Sequence, residues 1–224
     1  MNKRRVIINF HGLGAPTRPI EADEVPYWVA PDLLAETLRM AERFKDRVET
    51  WLTFDDGNAS DLTIAAEILA RHRRTARFFM LAGRLGQPGA LSDEDLRALA
   101  AAGHVIGSHG FDHVDWTTLD ESGRHREWHD AREVISEALG MPVKEAGIPF
   151  GRYDRQVISG LQRAGYQRVY SSDGGRCGRD RFLLPRTSVR ADMDGPIIEA
   201  ILLGRESVRR NLRRRLAMAV KKRL

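Results

Sequence analysis

The sequence predicts an α/β fold: a (β/α) barrel, somewhat distorted, with about seven parallel strands. Three observations predict it. Apolar, β-branched runs alternate with segments of helical period along the chain. The connections between runs are of helix length, which joins parallel neighbours. Polar residues stand at so many strand ends that a barrel with a polar mouth suits better than an open sheet.

The first strand, 5–10, stops at Phe10-His11-Gly12. The stretch GAPTRPIEADEVPYWVAP, residues 14–31, is a Pro-rich loop, and loops that long in a compact domain are functional or disordered. Its Tyr27 and Trp28 suit a wall for a ring-shaped ligand, or equally a pair of rings that fasten the loop. A helix over 31–44 leads to a strand over 48–54, which stops at Asp55-Asp56-Gly57. Helix 60–72 and strand 76–81 follow. In SDEDLRALAAAG Ser92 caps a helix over 92–102, Asp95 takes the capping-box position and Gly103 ends it. Strand 104–108 runs into GSHGFDH, with His109 and His113. Helix 121–138 precedes strand 144–149, which ends in GIPFGRYD. Helix 154–164, strands 167–171 and 182–188, and a helix over 196–220 complete the chain. Gly140, Gly165 and Gly204 punctuate these later elements.

A chain of 224 residues that is 42% apolar is globular and long enough for one full core. Its single cysteine, Cys177, excludes an internal disulfide framework. The apolar run Val6–Phe10 after the basic start is too short for a secretory segment, and no apolar stretch is long enough to span a bilayer. The expectation is a cytoplasmic protein. The net charge is +5, of which residues 204–224 contribute +8 (nine Lys/Arg against Glu206), so the rest of the chain carries −3. The main body therefore has no nucleic-acid footprint.

In parallel α/β folds, sites form at the C-terminal ends of strands. Two adjacent carboxylates at such an end repel and raise one another's pKa unless a cation lies beside them. His109 and His113 are four apart, so both imidazoles reach one metal if the turn after Gly110 is helical. A His-x-x-x-His pair alone carries little. Here it follows an apolar strand, and an acidic pair ends another. Two imidazoles and one carboxylate of the Asp55/Asp56 pair make a metal site with positions open for water.

These residues resemble the NodB-like polysaccharide deacetylases, metal-dependent carbohydrate esterases, over nearly the whole chain to about residue 190. TFDDG matches the first motif of that family. SHGFDH is similar to its second, with Gly110 where Ser or Thr is common. ARFFMLAGRLG resembles the strand between them. The resemblance implies the distorted barrel of the family and a hydrolase acting on N-acylated carbohydrate. It implies Asp55 as general base and Asp56, His109 and His113 as ligands of a divalent metal. Zinc suits those ligands; manganese, cobalt, nickel and iron are also compatible. In GIPFG, similar to a third motif, the Phe150 N–H is the implied oxyanion donor; a plain Pro-Gly turn explains the same letters.

Two departures stand out. The third motif's arginine, which orients the base, is Gly147 here. Arg186 from another strand end, or the nearer Arg152, is the candidate substitute. No late Leu-x-His segment supplies a general acid, and His11 is the candidate, with Asp112 or water behind it. Asp173 in SSDGG can meet substrate hydroxyls or simply form a turn. The remaining histidines, His72, His104, His125 and His129, read as structural.

Residues 1–203 thus form the catalytic domain and 204–224 a basic amphipathic helix, with Val208, Leu212, Leu216 and Val220 on one stripe. Such a helix suits an anionic membrane surface at the inner face, or packs on the barrel with its charges solvated. Nucleic acid ranks behind both, since no aromatic residue interleaves the charges. The expected activity is removal of an N-acetyl group from an amino-sugar. A lipid-linked sugar, deformylated or deacetylated at the membrane, is the variant reading. A non-catalytic carbohydrate-binding relative is the rival.

Overall fold

In the computed structural model, residues 3–178, 181–205 and 221 are described. The strands are β1 (Arg4–Phe10), β2 (Gly12–Leu13), β3 (Trp28–Val29), β4 (Val48–Asp55), β5 (Arg77–Met80), β6 (Val105–Ser108), β7 (Glu145–Gly147), β8 (Arg168–Ser171), β9 (Arg176–Cys177), β10 (Leu183–Pro185) and β11 (Thr187–Ser188). The main sheet runs β10-β8-β7-β6-β5-β4-β1-β11, and every neighbour along that path is parallel. β9 adds antiparallel to β1. β2 and β3 form a separate small pair at the long loop.

All seven expected strands are present, and the last one is divided. Leu183–Pro185 pairs with β8 at one end of the sheet, and Thr187–Ser188 pairs with β1 at the other. A single extended stretch thus bridges the two edges and nearly closes the barrel. Arg186 lies at the break between the two pairings and is completely buried.

Strand alternation sorts the side chains into an outer and an inner set. Val48, Leu52 and Phe54 of β4 belong to the large core under the helices. Residues of the other parity face inward. Ile7, Phe79, Tyr170 and Leu184 fill the middle of the barrel, with Trp51 and Cys177 against them. Below this plug lie ion pairs, Arg5–Glu49 and Arg77–Glu145–Arg168. Above it lie Asn9, Thr53, Asp55 and Arg186.

The helices are α1 (Pro31–Arg43), α2 (Glu67–Arg71), α3 (Asp93–Ala101), α4 (Glu121–His125), α5 (Ala131–Leu139), α6 (Arg155–Arg163) and α7 (Gly195–Leu203). A π-helical turn, Asp61–Ala66, opens α2, and another, Arg126–Asp130, joins α4 to α5. The capping box expected at α3 is present, with Asp95 N–H donating to Ser92 Oγ and Ser92 N–H to Asp95 Oδ2.

One expected helix is corrected. The pattern over 196–220 stops at Leu203, because Gly204 takes a left-handed conformation (φ 64°) and caps α7. Of the tail beyond Arg205 only Lys221 is described, so the expected amphipathic stripe lies outside the described residues. No helix among the described residues is long and apolar enough to cross a membrane.

Candidate active site

The ends of β1, β4, β6, β7, β8 and β11 meet around one cavity of about 510 Å³ at the C-terminal mouth of the barrel. His11, Tyr27, Trp28, Asp55, Asp56, His109, His113, Phe150 and Asp173 all line it. Every first-choice residue for the site therefore lies there except Arg186, which sits directly beneath; the alternates Arg152 and Asp112 do not line it.

Asp55 ends β4 pointing into the barrel. Arg186 grips it with both nitrogens, Nη1 to Oδ1 at 2.6 Å and Nη2 to Oδ2 at 2.9 Å. Asn9 Nδ2 adds a third bond to Oδ2 at 2.9 Å. Asn9 is itself held, since its Oδ1 accepts from Thr53 Oγ1 at 2.6 Å and from Arg186 Nη1 at 3.0 Å. Burial opposes ionisation of Asp55, but the Arg186 charge, the nearby imidazoles and the Arg186 hydrogen bonds outweigh it. The carboxyl is held well below the usual carboxylate range.

The arginine missing from GIPFG is thereby explained in space. A Cβ on Gly147 would lie 3.4 Å from Arg186 Nη2, 3.0 Å from His109 Nδ1 and 3.2 Å from Phe79. The guanidinium that cannot come from position 147 arrives from the β10–β11 break and occupies the ground beside it. Arg152, the nearer candidate in sequence, is instead exposed and paired to Asp115 at 2.9 Å.

Asp56 follows with a left-handed backbone (φ 77°), and so does Gly57 (φ 65°). The double reversal turns the Asp56 side chain toward His109 and His113. A Cβ at Gly57 would lie 2.9 Å from Met80 Sδ, so the glycine of TFDDG is required twice over. Asp56 Oδ1 stands 3.6 Å from His109 Nε2 and 3.7 Å from His113 Nε2.

The histidine loop differs from expectation. The turn after Gly110 is not helical. Gly110 (φ 90°) and His113 (φ 56°) are both left-handed, and the loop between them brings the second imidazole round. Glu127 holds that loop. Its buried carboxylate accepts from the N–H of Phe111 at 2.9 Å, of Asp112 at 2.9 Å and from Trp116 Nε1 at 3.1 Å. A Cβ at position 110 would fall 2.2 Å from Glu127 Oε2, which accounts for Gly110 where a hydroxyl residue is common.

These three residues fit a divalent cation. Asp56 Oδ1 is buried without a hydrogen-bond partner, and its ligand atom lies within 4.8 Å of those of both histidines. Bonds of about 2.1 Å in a tetrahedral site set ligand atoms about 3.4 Å apart. His109 Nδ1 lies 2.9 Å from the Gly147 carbonyl, so it carries the proton and leaves the Nε2 lone pair for a metal. Burial, and then the His113 and Arg186 charges against the pull of the two aspartates, lowers His109 to about 4, so the imidazole is neutral at physiological pH.

His11 leaves β1 for the mouth. Its Nε2 is 3.8 Å from Asp55 Oδ2, and its ring lies 4.7 Å from that of Tyr27. Arg190, unnoticed in the sequence, stands over the other ring, 5.3 Å from the Tyr27 centroid. Trp28 lies so close over Gly12 that any Cβ there would strike the indole at 2.1 Å. Phe150 is exposed, left-handed (φ 55°), and 4.5 Å from the His113 ring.

Asp173 is placed but engaged. It accepts from Tyr153 OH at 2.8 Å, Ser171 Oγ at 2.6 Å and Lys221 Nζ at 2.9 Å, so its oxygens shape the wall. Asp112 is turned away and paired to Arg126 at 2.7 Å. His104 is structural as expected, accepting from Ala76 N–H at 3.1 Å.

Four positions escaped the sequence: Asn9, Asp61, Glu127 and Arg190. A polar Asn9 inside the apolar RRVIINF was a legible signal. Asp61 is fully buried and neither oxygen has a partner. Burial, with Asp56 and then Asp55 adding repulsion, raises its pKa well above the usual range.

The barrel with a carboxylate–imidazole mouth defines a class of hydrolase-like α/β proteins, and similarity to known proteins gives the family within it. A profile of the polysaccharide deacetylases matches residues 44–169, and the chain belongs to that family. A chitooligosaccharide deacetylase of Rhizobium leguminosarum bv. trifolii is 30% identical over 162 residues, 72% of this chain and 68% of its own length. The peptidoglycan-N-acetylmuramic acid deacetylase PdaA of Bacillus subtilis is 28% identical over 127 residues, 54% of this chain and 46% of its own. The chain spans roughly half to two thirds of the length of these curated relatives. Among solved structures, the Streptococcus pyogenes deacetylase PplD superposes with a TM-score of 0.75 at 18% identity, over 89% of this chain and 98% of that one. IcaB from Ammonifex degensii gives 0.72 at 18%, over 90% and 97%. At that identity the likeness establishes the shared barrel.

Proposed function

We propose that this chain is a metal-dependent hydrolase that removes an N-acetyl group from an amino-sugar unit of an oligo- or polysaccharide. The observation that carries this is the pairing of an Asp56–His109–His113 cluster, whose Asp56 Oδ1 has no hydrogen-bond partner, with an Arg186-clamped Asp55 at the base of one open cavity. Similarity to deacetylases of chito-oligosaccharide and peptidoglycan supports the substrate class.

Asp56, His109 and His113 hold the cation. When bound, a divalent metal acidifies water to near neutrality and polarises the acyl oxygen. Asp55 remains ionised because Arg186 and Asn9 donate three hydrogen bonds to it, which leaves one acceptor site on Oδ1. It accepts the proton of the attacking water as general base. The Phe150 N–H donates to the developing oxyanion from the mouth. His11, on the other side of Asp55, gives a proton to the leaving amine, which cannot depart as an anion. Tyr27 and Trp28 flank the sugar ring.

The test is metal content of the purified full chain together with acetate release from an acetylated chito-oligosaccharide, with zinc, cobalt or manganese added. Stoichiometric metal that disappears in His113→Ala, together with acetate release, supports the reading. Metal without acetate from any acylated sugar turns it into a carbohydrate-binding relative. No metal under any condition overturns it.

A further inference from the structure

The barrel has a second cavity at its opposite end, about 480 Å³, among the N-terminal ends of the strands. Five cations line it: Lys3 before β1, Lys45 after α1, Arg73 and Arg74 after α2, and Arg77 at the start of β5. Glu49 is the one acid in its wall, and it is engaged by Arg5 at 3.0 Å. Since residues 1–203 carry a net charge of −3, the concentration of cations at this cavity is not a reflection of overall basicity.

We propose that this floor cavity is a binding site for a ligand bearing two or more closely spaced phosphate groups. Four further observations support it. Glu145 is taken up by Arg77 and Arg168 and Glu42 by Lys45, which leaves Lys3, Arg73 and Arg74 as the wall cations without an ion pair among the described residues. Lys3 and Arg73, both exposed, take part in none of the ion pairs at this end of the barrel among the described residues. Arg73 is held in a left-handed conformation (φ 52°), which costs a non-glycine residue about 1 kcal/mol, and the strain projects an exposed cation at the cavity rim. The Thr50 hydroxyl in the cavity wall is buried with no hydrogen-bond partner.

Phosphate rather than a single carboxylate matches this set. Guanidinium forks pair two phosphate oxygens at once, and Lys3, Arg73 and Arg74, the three wall cations left once Arg77 is paired with Glu145 and Lys45 with Glu42, need more than one negative charge to balance them. The floor is distinct from the catalytic mouth. β4 passes from Glu49 at the floor to Asp55 at the mouth, six residues or about 20 Å. A phosphate-bearing lipid headgroup held at the floor would turn the mouth away from the bilayer, whereas a soluble polyphosphate would act without a surface.

The test uses the full chain, titrated calorimetrically with sodium tripolyphosphate at low salt. Lys3→Glu/Arg73→Glu changes exposed residues outside the catalytic mouth and is expected to weaken binding at least about tenfold. Arg213→Glu/Arg214→Glu, in the basic tail, is expected to leave binding within about twofold, and Lys3→Arg/Arg73→Lys to retain it. Vesicles of phosphatidylcholine with and without phosphatidic acid assign the source. Co-sedimentation that needs phosphatidic acid and fails in the floor variant indicates a headgroup; tripolyphosphate binding without it indicates a soluble ligand. No tripolyphosphate binding, binding unaffected by the floor variant, or loss only in the tail variant overturns the proposal. Citrate bound as tightly as tripolyphosphate overturns the phosphate preference.

Discussion

At the scale of single residues, Asp55 and Asp56 adjoin in sequence yet meet different partners. Asp55 accepts three hydrogen bonds from Arg186 and Asn9, while Asp56 presents an unpartnered oxygen to two imidazoles. Asp55→Asn should therefore lower kcat by about 10²–10⁴ while metal content is unchanged, measured by acetate release and elemental analysis of the same preparation. His113→Ala should lose the metal itself. Arg186→Met removes the charge under the base and leaves a buried carboxylate unpaired. It should cost about 3–5 kcal/mol in denaturant unfolding as well as activity. Asp61 behaves oppositely. Its folded pKa is raised, so its contribution to stability is present below the unfolded value near 3.8 and is lost as pH rises. Asp61→Asn should thus stabilise the metal-free protein at pH 7 by about 1 kcal/mol or more, and the gain should shrink toward pH 4. A stability gain independent of pH would contradict that account.

Among elements, the decisive ones are short. The loop from Gly110 to His113 has no regular structure, and Glu127 from the following π-helical turn fixes it through three donors. Glu127→Ala should unpair them, weaken metal affinity about 10–100-fold and leave the far side of the barrel intact, as read by metal titration. The break between β10 and β11 is equally consequential. A continuous strand would place residues 184, 186 and 188 on one face in regular register, whereas this stretch changes partner sheet edges at Arg186. That change of partner brings the guanidinium under Asp55. Gly147→Ala, at the neighbouring strand end, should crowd His109 and reduce both metal occupancy and turnover.

For the whole molecule, charge and pH are coupled to the mouth. His109 is lowered by burial to about 4, against about 6.5 in an unfolded chain. Between those values the unfolded state binds a proton that the folded state refuses, so stability should fall as pH drops from about 6.5 toward 4. Urea midpoints of metal-free protein across that range measure it. A metal at a thousand times its Kd should add about 4 kcal/mol, lost on chelation.

The sequence by itself determined the parallel α/β architecture, because apolar runs with helix-length connections leave few other solutions, and α3 down to its capping box. It also brought together a candidate ligand set, His109 and His113 with one carboxylate of the Asp55/Asp56 pair, because these residues follow apolar strands, and strand ends in a parallel fold share one mouth; the choice of Asp56 came from the family resemblance. Tertiary structure alone decided who supports them. Asn9, Glu127 and Arg186 lie 46, 15 and 131 positions from the residues they hold, with no local period linking them. Their roles come from barrel closure and from side chains fitted into space that Gly110 and Gly147 leave open. Such contacts are set by packing across the sheet, and no pattern along the chain encodes them.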